Sequence, residues 1–314
     1  MQKTISEFGL IEKIAAMFPA PEGVRGIGDD CAVIPRGDGT DTLVSTDLLT
    51  EGIHFLRDCI PPYELGWKAA AVNLSDIAAM GGKPTGTFLS LAIPADCGEE
   101  FIDHMMKGYA DASRTYGTPL LGGDTCASSG ALTLNVTIMG ECPHGKALLR
   151  SAAKPGDGIY VTGTLGDSAA GLKAIQDSLA ETPLTQVLIG RHYHPVPRIE
   201  EGLTLSSCNG SGAAMDLSDG LGSDLRHILK ASGCGARIDV KALPLSPELL
   251  EFCNLHGSDA LELALCGGED YELLFTFRPG VTAPVPCTRI GEITSGSALV
   301  WDGSSRDFTG YTHF

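Results

Sequence analysis

The chain has 314 residues, 43% of them apolar and 19% charged, enough for one large or two ordinary domains with a substantial core. Its net charge of −17, with a pI near 4.7, argues against partners held by neutralising phosphates with Lys and Arg, namely nucleic acid and anionic membranes. No run approaches the roughly eighteen apolar residues of a membrane span, and the ten cysteines show no C-x-x-C or zinc-finger spacing, which reads as reduced thiols in the cytoplasm.

Thr4 to Met17 places Ile5, Phe8, Ile11 and Ile14 among Glu7 and Glu12, the pattern of an amphipathic surface helix and not of a secretory signal. A turn-rich link from Pro19 to Gly26 leads to the first of six acidic stretches, Ile27-Gly28-Asp29-Asp30-Cys31-Ala32. Cys31 reads as a packed thiol, since no nearby cation is visible to lower its pKa. Thr42 to Leu48 reads as a buried strand that delivers the second stretch, Ser45-Thr46-Asp47. Glu64 to Met80 reads as a helix closed by Gly81-Gly82 and Pro84. It carries the third stretch, Asn73-Leu74-Ser75-Asp76, and spaces Asp76 on one stripe with Leu65, Ala69 and Val72. A carboxylate on an apolar stripe is costly unless it is ion-paired or bound to a metal, and the residues alone leave both open.

Thr85 to Ile93 follows as a strand and Glu99 to Tyr116 as a helix, and Leu120-Leu121 leads into Gly122-Gly123-Asp124. Leu132, Leu134, Val136 and Ile138 alternate with Thr133, Asn135 and Thr137, a half-buried strand. Pro, Gly and Lys cluster from Pro143 to Gly158, which divides the chain into domains 1–145 and 146–314. The second half opens with a strand, Ile159 to Thr162, and a glycine-rich turn, Gly163 to Gly166, before a helix from Asp167 or Ser168. That turn lacks both phosphate-loop spacings and reads as structural. Asp216-Leu217-Ser218-Asp219-Gly220 precedes a helix through Leu229 that stops at Gly233, with Ser218 or Asp219 as its N-cap. Gly267-Gly268-Glu269-Asp270 precedes a strand from Tyr271 to Phe277, and Ala236 to Val240, Thr288 to Ile293 and Ala298 to Trp301 supply others. Alternating strands and helices in both halves imply two α/β-type (α+β) domains.

Each acidic stretch sets carboxylates beside Gly, Ser or Thr against apolar neighbours. Any single one reads first as an Asx-turn or a helix N-cap. Six in one chain point to a cage for metal ions and polyphosphate, because carboxylates are hard oxygen ligands that suit magnesium and magnesium is shared with substrate phosphates. Divalent cations would also let so acidic a chain bind a polyanion. Neither a P-loop nor the protein-kinase motif set occurs, so nucleotide chemistry here needs another scaffold.

Taken together and in order, Gly-Ile-Gly-Asp-Asp-Cys-Ala, Ser-Thr-Asp with Gly-Ile-His-Phe, Asn-Leu-Ser-Asp-Ile-Ala-Ala-Met-Gly, Gly-Gly-Asp-Thr, Asp-Leu-Ser-Asp-Gly-Leu and Gly-Gly-Glu-Asp-Tyr-Glu-Leu resemble the thiamine-monophosphate kinase family of the aminoimidazole ribonucleotide synthetase-like superfamily. The similarity runs from Glu7-Phe8 to the closing Gly310-Tyr311-Thr312-His313-Phe314. It implies an N-terminal α/β domain that dimerises through its sheet and a C-terminal domain that closes over the active site. It implies magnesium-dependent transfer of a phosphoryl group from ATP to thiamine monophosphate, giving thiamine diphosphate. By matching motif, Asp30, Ser45, Thr46, Asp47, Asp76, Asp124, Asp216 and Asp219 would hold metal ions. Gly123, Asp124, Arg150 and Ser218 would contact ATP, and His54, Glu269 and Tyr311 would face the thiamine phosphate. After Arg150 the chain reads Ser151-Ala152-Ala153 where the family commonly has Arg-x-Gly-Ala, a departure that bears on Arg150's reach.

The chemistry of the residues agrees. A phosphate monoester is mostly a dianion at pH 7, so the acceptor needs no general base. The task is to bring two polyanions together, which many aspartates with bound cations accomplish without a catalytic His or Lys. The thiamine moiety is cationic, so a carboxylate such as Glu269 and an aromatic ring such as Tyr311 suit it, although Tyr311 reads equally as a C-terminal anchor. His54 reads alternatively as a satisfied strand-end histidine, Arg150 as a surface ion pair and Glu269 as a strand cap. Another ATP-using synthetase of the superfamily is the competing enzyme reading; selenophosphate synthetase would carry a reactive Cys before the first motif, where this chain has Lys3 and Lys13 and no Cys. A non-catalytic ATP and metal sensor is the alternative outside enzymes.

Overall fold

The computed structural model describes residues 6–312; Thr4 and Ile5 of the expected first helix, Lys3, and His313-Phe314 lie outside the described residues. Helix α1 (Glu7–Met17) starts at Ser6, whose hydroxyl accepts the Gly9 N–H. None of its residues is buried; Phe8 rests on the His227 ring and Glu12 pairs with Lys230.

The first half then runs β1 (Ala32–Pro35), β2 (Thr40–Thr50), α2 (Pro62–Ala79), β3 (Lys83–Pro94), α3 (Glu99–Thr115), β4 (Leu120–Ser128) and β5 (Thr133–Pro143). The strands form one sheet in the order β1-β2-β5-β3-β4, antiparallel except for β3 beside β4. The alternation expected from Leu132 to Ile138 is present in β5, where Leu134, Val136 and Ile138 are fully buried. With Leu43 and Leu89 they form the face covered by α2 and α3, each side chain stabilising the fold by about 1.5–3 kcal/mol. Glycine lets those helices approach closely: a Cβ on Gly66 would fall 1.8 Å from the Met105 carbonyl oxygen, and one on Gly108 would fall 1.8 Å from that of Tyr63.

The opposite face is open. Thr46, Leu48 and Phe88 project there, Leu48 at 54% exposure. Strand β4 was not expected. It is exposed along nearly its whole length, so it lacks the apolar alternation that reveals a strand, and it takes in Gly122-Gly123-Asp124 as ladder residues, not as a loop.

Fourteen of the eighteen residues of α2 are buried, more than a single amphipathic stripe provides. One side packs on the first sheet and the other on the second half of the chain.

That half runs from a 3-10 turn (Arg150–Ala152) through β6 (Gly158–Val161), α4 (Asp167–Gln176), α5 (Pro183–Tyr193), α6 (Ile199–Ser207), β7 (Ser211–Asp216), α7 (Leu221–Ser232) and β8 (Gly235–Asp239). It ends with α8 (Pro247–His256), α9 (Ala260–Cys266), β9 (Leu273–Phe277), β10 (Thr288–Thr294) and β11 (Leu299–Asp302). Its sheet has the order β11-β8-β10-β6-β9-β7, with only β11 and β8 parallel. The alternating strands and helices thus build two mixed, mainly antiparallel sheets. Helix α7 ends at Gly233 in the left-handed region, as expected, but starts differently. Gly220, at φ +99°, takes the N-cap position in place of Ser218 or Asp219, and a Cβ there would meet the Gly267 carbonyl oxygen at 2.6 Å. In the glycine-rich turn before α4, the Gly166 and Ser168 amides donate to the Asp270 carboxylate at 2.8 and 3.3 Å, so the helix start is closed from within.

Candidate active site

Three carboxylates from distant parts of the chain converge where the two halves meet. Asp30 stands just before β1, Asp76 in the last turn of α2 and Asp216 at the end of β7, and each brings one oxygen within 4.8 Å of the others. Helix α2 fixes two of them with consecutive residues: Ser75 donates to Asp216 at 2.5 Å, and Asp76 accepts from Ser45 of β2 at 2.6 Å. Asp47, two residues along β2 from Ser45, lines the same cavity of about 690 Å³ with Asp76 and Asp216.

These groups repel one another. Burial, opposed by Arg150, raises the Asp30 carboxyl. Burial and then Asp30 push Asp47 up to about 6 and Asp216 up to about 7. Asp76 is driven well above the usual carboxylate range by burial and then by Asp47 and Asp216. Arg150 compensates only in part: its guanidinium pairs with Asp30 and its amide donates to Asp29 at 2.8 Å. Asp30 Oδ2 and Arg150 Nε are both buried without a hydrogen-bond partner among the described residues. An orphaned carboxylate oxygen within an all-oxygen, mutually repelling set fits a hard divalent cation such as magnesium. No Lys or Arg pairs with Asp76 among the described residues; its partner is Ser45. Cys31 is buried, its thiol reaches the Asp76 carbonyl oxygen at 3.6 Å, and burial followed by Asp76 pushes its pKa well up, the environment of a packed thiol.

Ser218 and Asp219 follow β7 and line the cavity. The Ser218 carbonyl accepts the Glu269 amide at 2.8 Å, and the Asp219 carbonyl accepts the Tyr311 amide at 2.9 Å, which brings the C-terminal segment to the cavity. His54 also lines it, with Nδ1 accepting the Thr50 amide at 3.0 Å. Glu269 forms part of the wall, and its carboxylate lies 2.9 Å from the ammonium of Lys68.

Two predicted groups lie elsewhere in the single chain. Side chains alternate across a strand, so Thr46 faces away from Asp47 and bonds Thr137 and Asn135 on the open face. Asp124 is paired in register with Ser90, and Ser90 with Asn135, so it stands on β4 three strands from β2, or roughly 14 Å at the usual spacing. Gly123 is beside it. Conversely, sequence reasoning passed over Lys68, His192 and Tyr271, which the fold brings to the cavity or its wall. The available signal was a lone Lys within the apolar run from Trp67 to Val72, which demands a buried anion.

Residues 28–142 match the family described as AIR synthase related protein, N-terminal domain, and residues 154–302 match the corresponding C-terminal domain. The thiamine-monophosphate kinase of Escherichia coli (strain K12) is 46% identical over 305 residues, covering 92% of this chain and 91% of that protein. Among solved structures, AaThiL complexed with AMPPCP and TMP superposes with a TM-score of 0.92 at 35% identity, covering 100% of this chain and 99% of that one. The thiamine monophosphate kinase of Aquifex aeolicus gives a TM-score of 0.84 at 35% identity, with 94% and 97% covered. On motifs, fold and full-length similarity together, the chain belongs to the AIR synthase related protein family and, within it, to the thiamine-monophosphate kinases.

Proposed function

We propose that this protein transfers the γ-phosphoryl group of ATP to the phosphate of thiamine monophosphate, giving thiamine diphosphate and ADP. The observation that carries the reading is the meeting of Asp30, Asp76 and Asp216 beside a cavity lined by Asp76 and Asp216 on one side and by Glu269 on another. One end suits cations with polyphosphate and the other suits the cationic ring of thiamine.

Asp30, Asp47, Asp76 and Asp216 hold magnesium, with Asp219 at the rim. Bound there, magnesium supplies charge neutralisation and alignment of the two phosphates. Ser45 and Ser75 orient Asp76 and Asp216 by the hydrogen bonds they donate. Arg150 and Ser218 contact ATP, Gly123 does so with Asp124 across the dimer contact, and His54, Glu269 and Tyr311 face the acceptor. The acceptor phosphate is already largely ionised, so transfer is direct and in line, without a phospho-enzyme. Recovery of ³²P-labelled protein after denaturation would exclude that route.

The enzyme acts as a homodimer joined through the open face of the first sheet. Thr46 and Asp124 stand on that side, and Leu48 and Phe88 give it apolar area. Asp124, distant from the cluster of its own chain, serves the site across this contact. Domains 1–145 and 146–314 each carry one sheet. The ten free cysteines suit a reducing cytoplasm. A phosphorus NMR time course with ATP, magnesium and thiamine monophosphate tests the reaction: ADP and thiamine diphosphate should grow together. Free phosphate without thiamine diphosphate would indicate another synthetase of the superfamily, and ATP bound but unconsumed would indicate a sensor.

A further inference from the structure

Lys68 is 1% exposed, on the buried helix α2, and a buried ammonium is tolerated only when paired. Its Nζ lies 2.9 Å from Glu269 Oε1 and 3.4 Å from His192 Nε2. An ammonium offers only donors, so His192 Nε2 accepts and the Nδ1–H faces Ser168 Oγ at 3.0 Å and Glu269 Oε2 at 3.4 Å. His192 is thereby neutral; burial and then Lys68 push its pKa down to about 3. Glu269 is held from the backbone as well. Its φ of +64° is unusual for a residue other than glycine, and its amide is tied to the Ser218 carbonyl at 2.8 Å. Burial alone raises the Glu269 carboxyl, but the Lys68 ammonium brings it below its usual value. The side chain still keeps 24% exposure, toward the cavity.

We infer that Lys68 is a positioning residue for the acceptor: its ammonium fixes the Glu269 carboxylate as an ionised wall against which the cationic ring of the acceptor is held. This rests on the reading of the acceptor as thiamine monophosphate. Lys68 acts through Glu269 and touches neither phosphate.

The test is steady-state kinetics of the full chain with both substrates varied. Lys68→Met should raise KM for thiamine monophosphate about tenfold or more, as expected for breaking a buried charge pair, while KM for ATP stays within about twofold. Glu269→Gln should do the same. Lys68→Met/Glu269→Gln leaves no unpaired charge, so it keeps the fold accessible if the single Lys68 variant fails to fold, and it should match Glu269→Gln alone. A lower kcat or a raised KM for ATP in the double variant, beyond that of Glu269→Gln, would assign Lys68 to the phosphates and overturn the inference; so would an unchanged KM for thiamine monophosphate in Lys68→Met. A wild type inert to thiamine monophosphate overturns the function and this inference together, whereas an active wild type whose variants lack the split overturns only the role of Lys68.

Discussion

Replacing Asp216 by Asn separates what the carboxylate cluster costs the fold from what it contributes to the reaction. Asp216 is 3% exposed, accepts from Ser75 at 2.5 Å and stands within 4.8 Å of Asp30 and Asp76 oxygens. Burial and then Asp30 move its carboxyl from the ordinary 3.8 up to about 7 in the folded protein. Below about pH 4 the group is neutral in both folded and unfolded chains and costs nothing. From about pH 4 to 7 the unfolded chain ionises first, so the metal-free folded form loses stability through that window, and above it the whole penalty remains. A rise of about three pH units at about 1.4 kcal/mol each sets that penalty at about 4 kcal/mol. Asn keeps an acceptor for Ser75 and removes the charge. In metal-free buffer at pH 8, Asp216→Asn should therefore melt roughly 5–10 °C above wild type. The gap should close at pH 4 and narrow when magnesium is added to wild type, and kcat should fall by orders of magnitude. Differential scanning calorimetry with and without EDTA, beside the phosphorus NMR assay, measures all of this. A variant that melts below wild type at pH 8, or whose gain is the same at pH 4 and 8, would refute the charge-repulsion argument.

Asp47→Asn and Asp76→Asn should each lower kcat by about 100-fold or more with native circular dichroism; unfolding of Asp76→Asn with full activity per folded molecule would make that carboxylate purely structural. Asp124→Asn and Asp76→Asn, inactive separately, should regain a measurable fraction of activity when co-expressed, because a mixed dimer carries one intact site if Asp124 serves across the contact; no recovery would place Asp124 in its own chain's site. Gly108→Ala should destabilise the fold by about 2–3 kcal/mol in chemical denaturation, since its Cβ would overlap the Tyr63 carbonyl at 1.8 Å and force α2 and α3 apart. An unchanged midpoint would mean that the helices separate at little cost.

What is local in the chain could be read from it. The period-two alternation of β5, the Gly233 stop of α7 and the carboxylate on the apolar stripe of α2 follow from backbone geometry and from the cost of burying charge, and both act within a few residues. The acidic stretches likewise display their oxygen donors locally, as a matter of residue type. The tertiary structure alone decided which carboxylates meet. Asp30, Asp76 and Asp216 are adjacent because α2 is wedged between two sheets and gives Ser75 to one side and Asp76 to the other. It alone decided that the face of β2 carrying Asp47 is the covered one and left Thr46 on the open face, since alternation by itself separates the two without saying which is buried. It also brought Lys68 to Glu269 across about two hundred residues of chain. Burial and electrostatic pairing depend on distance in space, and the path by which the chain covers that distance leaves no local trace in the order of residues.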